Sequence, residues 1–417
     1  MKVLWYTLTP CNALTILQDN IVTCGWLQSL ENVIKQNRDI ELSICFLYNK
    51  KMLPFKHEGV NYYPIYKANP KNKIKALITR YTDFLWGEKE NLKPLLDVIT
   101  TVNPNIIHIH GSENIFGLVQ QYTNIPCVLS IQSIINPYVE KFFSGIPLSE
   151  ASKHERLLDK LALSSSKRKY NSFLKLAENE RKIYKYTKYV MGRTDWDYRI
   201  SRILSPDSYY FHGDEILRPQ FYNNTWNKDS FNEKLQIVTI MSNGLYKGLE
   251  SVIKTAKILT KYGLNFKWII IGQKENDSYV KLNKSWLKED FSTINISFLG
   301  KKKETEIINI LLQSDIYCQV SHIENSPNSL CEAMLLGMPI IATMVGGTDS
   351  LLLNKHEGIL VQDGDSYSMA GAIVELKENF TLSLSYGHNA QKRARNRHDP
   401  SKIANEVIST YKTIIGQ

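Results

Sequence analysis

Short runs rich in Val, Ile, Phe and Tyr alternate along this chain with stretches long enough for a crossover helix, and the whole series occurs twice. The first series takes in residues 2–8, 41–47, 105–110, 126–131 and 187–191, and the second 235–241, 266–272, 294–300, 315–320, 339–343 and 358–362. Strands that are apolar on both faces must be covered on both faces, and spacers of helical length join parallel neighbours. Each series therefore predicts a doubly wound α/β sheet. The polar stretch NNTWNKDSFNEK, residues 223–234, predicts a linker between the two. The expected domains are 1–225 and 226–397, Rossmann-like and facing across a cleft, because ligands of such sheets bind outside the carboxyl ends of the strands.

Charge narrows the partner. The chain carries 51 Lys and Arg against 41 Asp and Glu, a formal net charge of +10, so an anionic partner is expected. Residues 151–190 hold eleven cations against four anions, and residues 66–80 add five more cations. Apolar and Tyr residues interleave with these charges, which fits helices resting on anionic headgroups, or simply a solvated cationic face. The aromatics form no stacking pattern on strands, so no nucleic-acid partner is expected. The six Cys include no C-x-x-C pair, which points away from disulfides and zinc and towards a reducing compartment. The N-terminal apolar run ends at Pro10, too early for a secretory core, and reads as a first strand. No run approaches the roughly 18–20 apolar residues that cross a bilayer. A cytoplasmic protein in peripheral contact with the membrane is expected.

Chemistry concentrates in residues 322–353, HIENSPNSLCEAMLLGMPIIATMVGGTDSLLL. Ser326 is the expected N-cap, Pro327 the first helical residue, and Gly337 with Pro339 the stop. The amides of Asn328, Ser329 and Leu330 then lie in a first turn without intrahelical acceptors, at the positive end of a helix, where a phosphate is well held. Glu324 precedes that turn and Glu332 sits about five residues into the helix, roughly 7.5 Å along it. With a diphosphate on the helix terminus, Glu324 can take sugar hydroxyls and Glu332 ribose hydroxyls through charge-assisted hydrogen bonds.

This E-x7-E pattern, with N-S-P-N-S-L-C-E-A-M-L-L-G-x-P and the following V-G-G, resembles the retaining family 4 glycosyltransferases (glycosyl transferases group 1) of two-Rossmann-domain, GT-B, architecture. Gly25-Trp26, IIHIHGS at 106–112, GRTDWD at 192–197 and YKG at 246–248 resemble motifs of bacterial members, which build capsules, O-antigens or exopolysaccharides. The resemblance implies transfer of a sugar from a nucleoside-diphosphate donor to a glycan or lipid-linked hydroxyl with retention and without a metal. It further implies that Glu324 contacts the donor sugar, that Asn325, Ser326, Asn328, Ser329 and Leu330 line the diphosphate, and that Glu332 binds the ribose. Lys247, followed by Gly248, is expected to neutralise the diphosphate, His110 to reach the transferred sugar, and Gly25 to let the first loop approach phosphate. A helix over 398–417 is expected to return to the first domain. Two departures stand out. Ser242, with Asn243 beside it, replaces a customary Arg, and Cys24 replaces the first Gly of a pair.

Rival readings are weaker. Asp195-Trp196-Asp197 and Asp363-Gly364-Asp365 match the D-x-D form of manganese-dependent transferases, yet the second suits a turn. His108 reads as a core histidine, Lys247 alternatively as a surface cation, and Cys331 as helix packing. Neither a dinucleotide G-x-G-x-x-G after the first strand nor a P-loop is present. A catalytically silent subunit that only binds nucleotide-sugar is the remaining alternative.

Overall fold

The computed structural model describes residues 1–17, 25–67, 89–161 and 165–416. Cys24 and most of the basic run 66–80 lie outside these residues. The chain forms two compact units: Met1–Asn136 with Leu174–Ile216 and His398–Gln417, and Pro137–Phe173 with Leu217–Arg397.

The first unit is built on β1 (Lys2–Thr7), β2 (Glu41–Tyr48), β3 (Phe55–His57), β4 (Val60–Tyr66), β5 (Ile106–His110), β6 (Cys127–Ser130), β7 (Tyr189–Gly192) and β8 (Tyr209–His212), in the order β3-β4-β2-β1-β5-β6-β7-β8. All pairs are parallel except β3 with β4. Successive residues of each strand feed opposite faces. Val3, Trp5, Ile44 and Phe46 join one core with the helix Trp26–Ile34, while Leu4, Tyr6, Ile107 and Ile109 join another with the helix Lys89–Val102. Ile403, Ala404, Val407 and Tyr411 of the helix Pro400–Ile415 enter the first of these cores, so the C-terminal helix is part of this unit.

The second unit contains β9 (Leu235–Ile240), β10 (Phe266–Ile271), β11 (Ile296–Gly300), β12 (Ile316–Gln319), β13 (Ile340–Thr343) and β14 (Ile359–Val361), all parallel, in the order β11-β10-β9-β12-β13-β14. Both sheets thus reverse direction of growth beside their first strand, the arrangement that opens a binding crevice at the strands' carboxyl ends.

Every strand expected from the apolar runs is present. Those not foreseen are β3, β4 and β8. Pro64 in β4 obscures the pattern, and it is tolerated because β3 pairs only with Val60–Tyr62, leaving that edge open at Pro64. Two expectations about boundaries change. Residues 137–173, which fall in the expected first domain, pack in the second unit, where Phe142, Ile146 and Ala151 share a core with Leu245, Tyr279 and Leu282. The stretch 223–234, expected to link domains, is stitched to the second unit: Trp226 is buried and donates its indole N–H to the Ser314 carbonyl at 2.7 Å, and Lys228 pairs with Asp315 at 2.7 Å.

Candidate active site

At the reversal between β9 and β12 a cavity of about 420 Å³ is lined by Met241, Ser242, Lys247, Ser321, Glu324, Asn328 and Ser329, among others. The helix Asn328–Leu336 opens onto it and ends at Gly337 in the left-handed region, φ 85°. It starts one residue later than expected. Pro327, not Ser326, is the N-cap, and no side chain caps the helix. The amides of Leu330 and Cys331 bond to the Pro327 carbonyl at 2.9 and 3.2 Å, so the free Leu330 amide expected from sequence is corrected. Those of Asn328 and Ser329 have no acceptor among the described residues, and Asn328 Oδ1 is buried and unpaired. Two open donors on a helix axis are what an anion needs.

Glu324 stands beside them. Its Oε1 accepts from Lys247 Nζ at 2.5 Å and from the Ser321 hydroxyl at 2.8 Å. Burial opposes the Lys247 charge, but the Glu324 carboxylate, Tyr246 and the hydrogen bond to Glu324 outweigh it, so the ammonium is held above its usual range. Two glycines fix this loop. Gly248 has φ 78°, and a Cβ there would lie 2.0 Å from the Val320 carbonyl oxygen; Gly346 has φ 52°, and its Cβ would lie 1.8 Å from that of Glu324. Gly347 donates its N–H to the same Glu324 oxygen at 3.0 Å. The V-G-G turn is therefore the seat on which Glu324 rests.

The remaining expected donor contacts are spread differently. Asn325, Ser326 and Leu330 are buried and do not line the cavity; Asn243 is exposed. Ser242 does line it, with its carbonyl accepting from Gln273 Nε2 at 3.0 Å. Glu332 is buried and forked by Arg218, Nε to Oε1 and Nη2 to Oε2, each at 2.6 Å. The sequence gives no local signal for Arg218, since 114 positions separate it from Glu332.

In the first unit, His110 closes β5 at the corresponding reversal beside β1. Its ring is fully buried, edge-on to Trp5 and Trp26 at 4.9 and 5.7 Å, and both nitrogens are unpaired. Burial, then the charges of His108 and Arg193, keep it neutral, well below its ordinary pKa. His108 behaves as the core histidine expected: Nδ1 meets the Tyr411 hydroxyl at 2.6 Å and Nε2 the Ser130 hydroxyl at 2.5 Å, and burial with the Arg193 charge pushes it down to about 3. Gly25, φ 55°, is the N-cap of Trp26–Ile34. Glu113 has no motif to announce it either. One of its oxygens accepts from the Ser133 N–H and O–H at 2.9 and 2.6 Å, the other is buried and unpaired, and burial raises its pKa.

The D-x-D segments have structural duties. Asp197 closes a capping box with Thr194 and accepts from Tyr210 Oη at 2.6 Å. Asp365 caps the helix Ser366–Glu378. Cys331 is buried in the core.

Residues 223–393 match the family model described as Glycosyl transferases group 1. The capsular polysaccharide biosynthesis glycosyltransferase CapM of Staphylococcus aureus is 28% identical over 169 residues, 40% of this chain and 43% of that protein. Such matches span less than half the length of the curated relatives. Among solved structures, sucrose-phosphate synthase from Thermosynechococcus elongatus aligns with a TM-score of 0.71 at 13% identity, covering 100% of this chain and 99% of that one. Anabaena HepE, solved with UDP and glucose, aligns with a TM-score of 0.61 at 16% identity, covering 99% of each chain. Residues 223–393 are thus similar to the glycosyl transferases group 1, and the two Rossmann-like units have the GT-B fold of the solved glycosyltransferase structures.

Proposed function

We propose that this protein is a retaining glycosyltransferase that moves a sugar from a nucleoside-diphosphate donor to a hydroxyl of a glycan or lipid-linked acceptor in surface-polysaccharide synthesis. One observation carries the reading: the open Asn328 and Ser329 amides, the Lys247 ammonium and the Glu324 carboxylate all face one cavity at the β9/β12 reversal. The bond between the anomeric carbon and the phosphate oxygen breaks, and negative charge grows on the diphosphate. Preorganised amides and Lys247 stabilise that charge. The acceptor oxygen bonds to the anomeric carbon on the same face, and its proton passes to the departing phosphate oxygen. Glu324 takes sugar hydroxyls in exchange for part of its bond to Lys247. Glu332, held in place by the Arg218 fork, takes the ribose. His110 contacts the transferred sugar, and Gly25 the phosphate side of the first loop.

The counter-charge on this reading is Lys247 and the helix, so turnover is expected to survive chelation. No helix among the described residues is long and apolar enough to cross a membrane. Exposed Lys167, Arg168, Lys182 and Lys185 on the helix Ser166–Tyr186 support peripheral attachment to anionic lipid at the cytoplasmic face.

A thermal-shift series over UDP-, GDP- and ADP-sugars, with and without manganese, tests the donor site, because a ligand of the native state raises its stability with concentration. A selective, manganese-independent shift is expected, and a product of inverted anomeric configuration by NMR would contradict the mechanism. A selective shift without any turnover would favour the silent nucleotide-sugar-binding subunit.

A further inference from the structure

The loop that carries Ser321 and Glu324 also carries a group the reaction above does not use. His322 is buried, with its side chain 3% exposed, and each ring nitrogen faces a carboxylate: Nε2 lies 2.5 Å from Glu250 Oε1, and Nδ1 is bonded to Asp363 Oδ1. Its backbone N–H donates to the Tyr246 carbonyl at 2.8 Å, one residue before Lys247. A single side chain thus joins three segments distant in sequence: the turn holding Lys247 and the start of the helix Leu249–Tyr262, the loop holding Glu324, and the turn after β14.

Chemistry defines its state. A neutral imidazole has one N–H and one lone pair, so it can donate to only one carboxylate and would repel the other; two carboxylates are both satisfied only by the imidazolium. The surroundings agree. Burial alone would push the ring down, but Asp363 and Glu250 raise it to about 9. Ser251 Oγ donates to Glu250 Oε1 at 3.0 Å, Lys141 Nζ lies 3.9 Å from Asp363 Oδ2, and Gly145 packs so tightly that a Cβ there would come within 2.5 Å of the Glu250 carboxyl. Tyr246 offers its carbonyl to the His322 backbone N–H, and Gly364 flanks the ring. Loss of the His322 proton would take the imidazole donor from either Glu250 or Asp363 and add negative charge behind a cavity that receives a diphosphate.

We propose that His322, as an imidazolium clamped between Glu250 and Asp363, is a positioning residue that holds the Ser321–Glu324 loop against Lys247 and so sets the affinity of the second unit for a nucleoside diphosphate. This rests on the donor-site reading above. The cluster acts through the loop and does not touch the ligand.

The test uses the full chain and three probes, UDP, GDP and ADP, titrated calorimetrically at about pH 7 and about pH 10, on either side of the His322 transition. Wild type is expected to bind one of them and to weaken about tenfold between the two pH values beyond any change seen in His322→Gln, the scale of one charged hydrogen bond. His322→Gln is expected to bind about tenfold more weakly at the lower pH and to lack that excess weakening. Adding Glu250→Gln to His322→Gln removes the stranded carboxylate, and is expected to recover part of the neutral-pH affinity but not the pH response. In case the variants fail to fold, wild type labelled with ¹⁵N-histidine reads the clamp directly: a buried ring protonated on both nitrogens at about pH 7.5 supports the proposal, and the absence of any such ring overturns it. Binding by His322→Gln equal to wild type at both pH values overturns the role of His322 alone. If wild type binds none of the three nucleotides at either pH, the donor-site reading falls, and this role with it.

Discussion

The two sheets offer the same topological crevice and furnish it in opposite ways. Beside β1 in the first unit stand aromatic rings and two histidines that burial keeps uncharged. Beside β9 in the second stand Lys247, Glu324 and unsatisfied helix amides, backed by a charged histidine. One crevice is enclosed and walled by rings whose histidines stay uncharged beside Arg193, the other is ionic and open. A shared fold therefore fixes where a ligand can approach, while a handful of side chains decides whether a charge or a hydroxyl is welcome there.

The largest effect should come from removing the ionic furniture. Lys247→Ala and Glu324→Ala are each expected to lower transfer at least about 10³-fold with the fold intact by circular dichroism. Near-normal turnover in both would show that the charged crevice is not the donor site. Gly346→Ala should come next: a left-handed φ and a 1.8 Å approach to the Glu324 oxygen force the loop to move. A loss of nucleotide affinity of about 10²-fold with at most about 3 kcal/mol of stability is expected, read by calorimetry and denaturant titration. His110→Ala probes the ring-walled crevice and should lower turnover about 10²-fold while nucleotide affinity stays unchanged. A parallel loss of nucleotide affinity would erase the distinction between the two crevices.

The smallest effect is the sharpest contrast. His108 is depressed to about 3 when folded, so its contribution is present above its unfolded value near 6.5 and is lost as pH falls from there. His322 is raised to about 9, so its contribution is complete below about 6.5 and is lost as pH rises through 9. Hydrogen exchange should show protection of β1 and β5 weakening first on acidification, and protection around β12 and the helix Asn328–Leu336 weakening first on alkalinisation. Identical pH profiles for both regions would remove the electrostatic difference.

Strand positions were legible because doubly buried strands leave continuous apolar runs. The helix opening the candidate site was legible too, since Pro327 and Gly337 punctuate it locally, although the cap falls on Pro327 and the Leu330 amide is occupied. Partnerships were not. Arg218 with Glu332, and His322 with Glu250 and Asp363, are pairings created by folding between distant segments, and no local pattern announces them. Trp226 misled in the other direction: a polar stretch looked like a tether, yet one buried indole anchors it.

The excursion of Pro137–Phe173 has a practical corollary. Anyone who excises the group 1 portion by cutting upstream of residue 217 will strip Leu245, Tyr279 and Leu282 of Phe142, Ile146 and Ala151, and leave an oily scar beside Tyr246. A soluble minimal fragment requires that earlier piece to be grafted back.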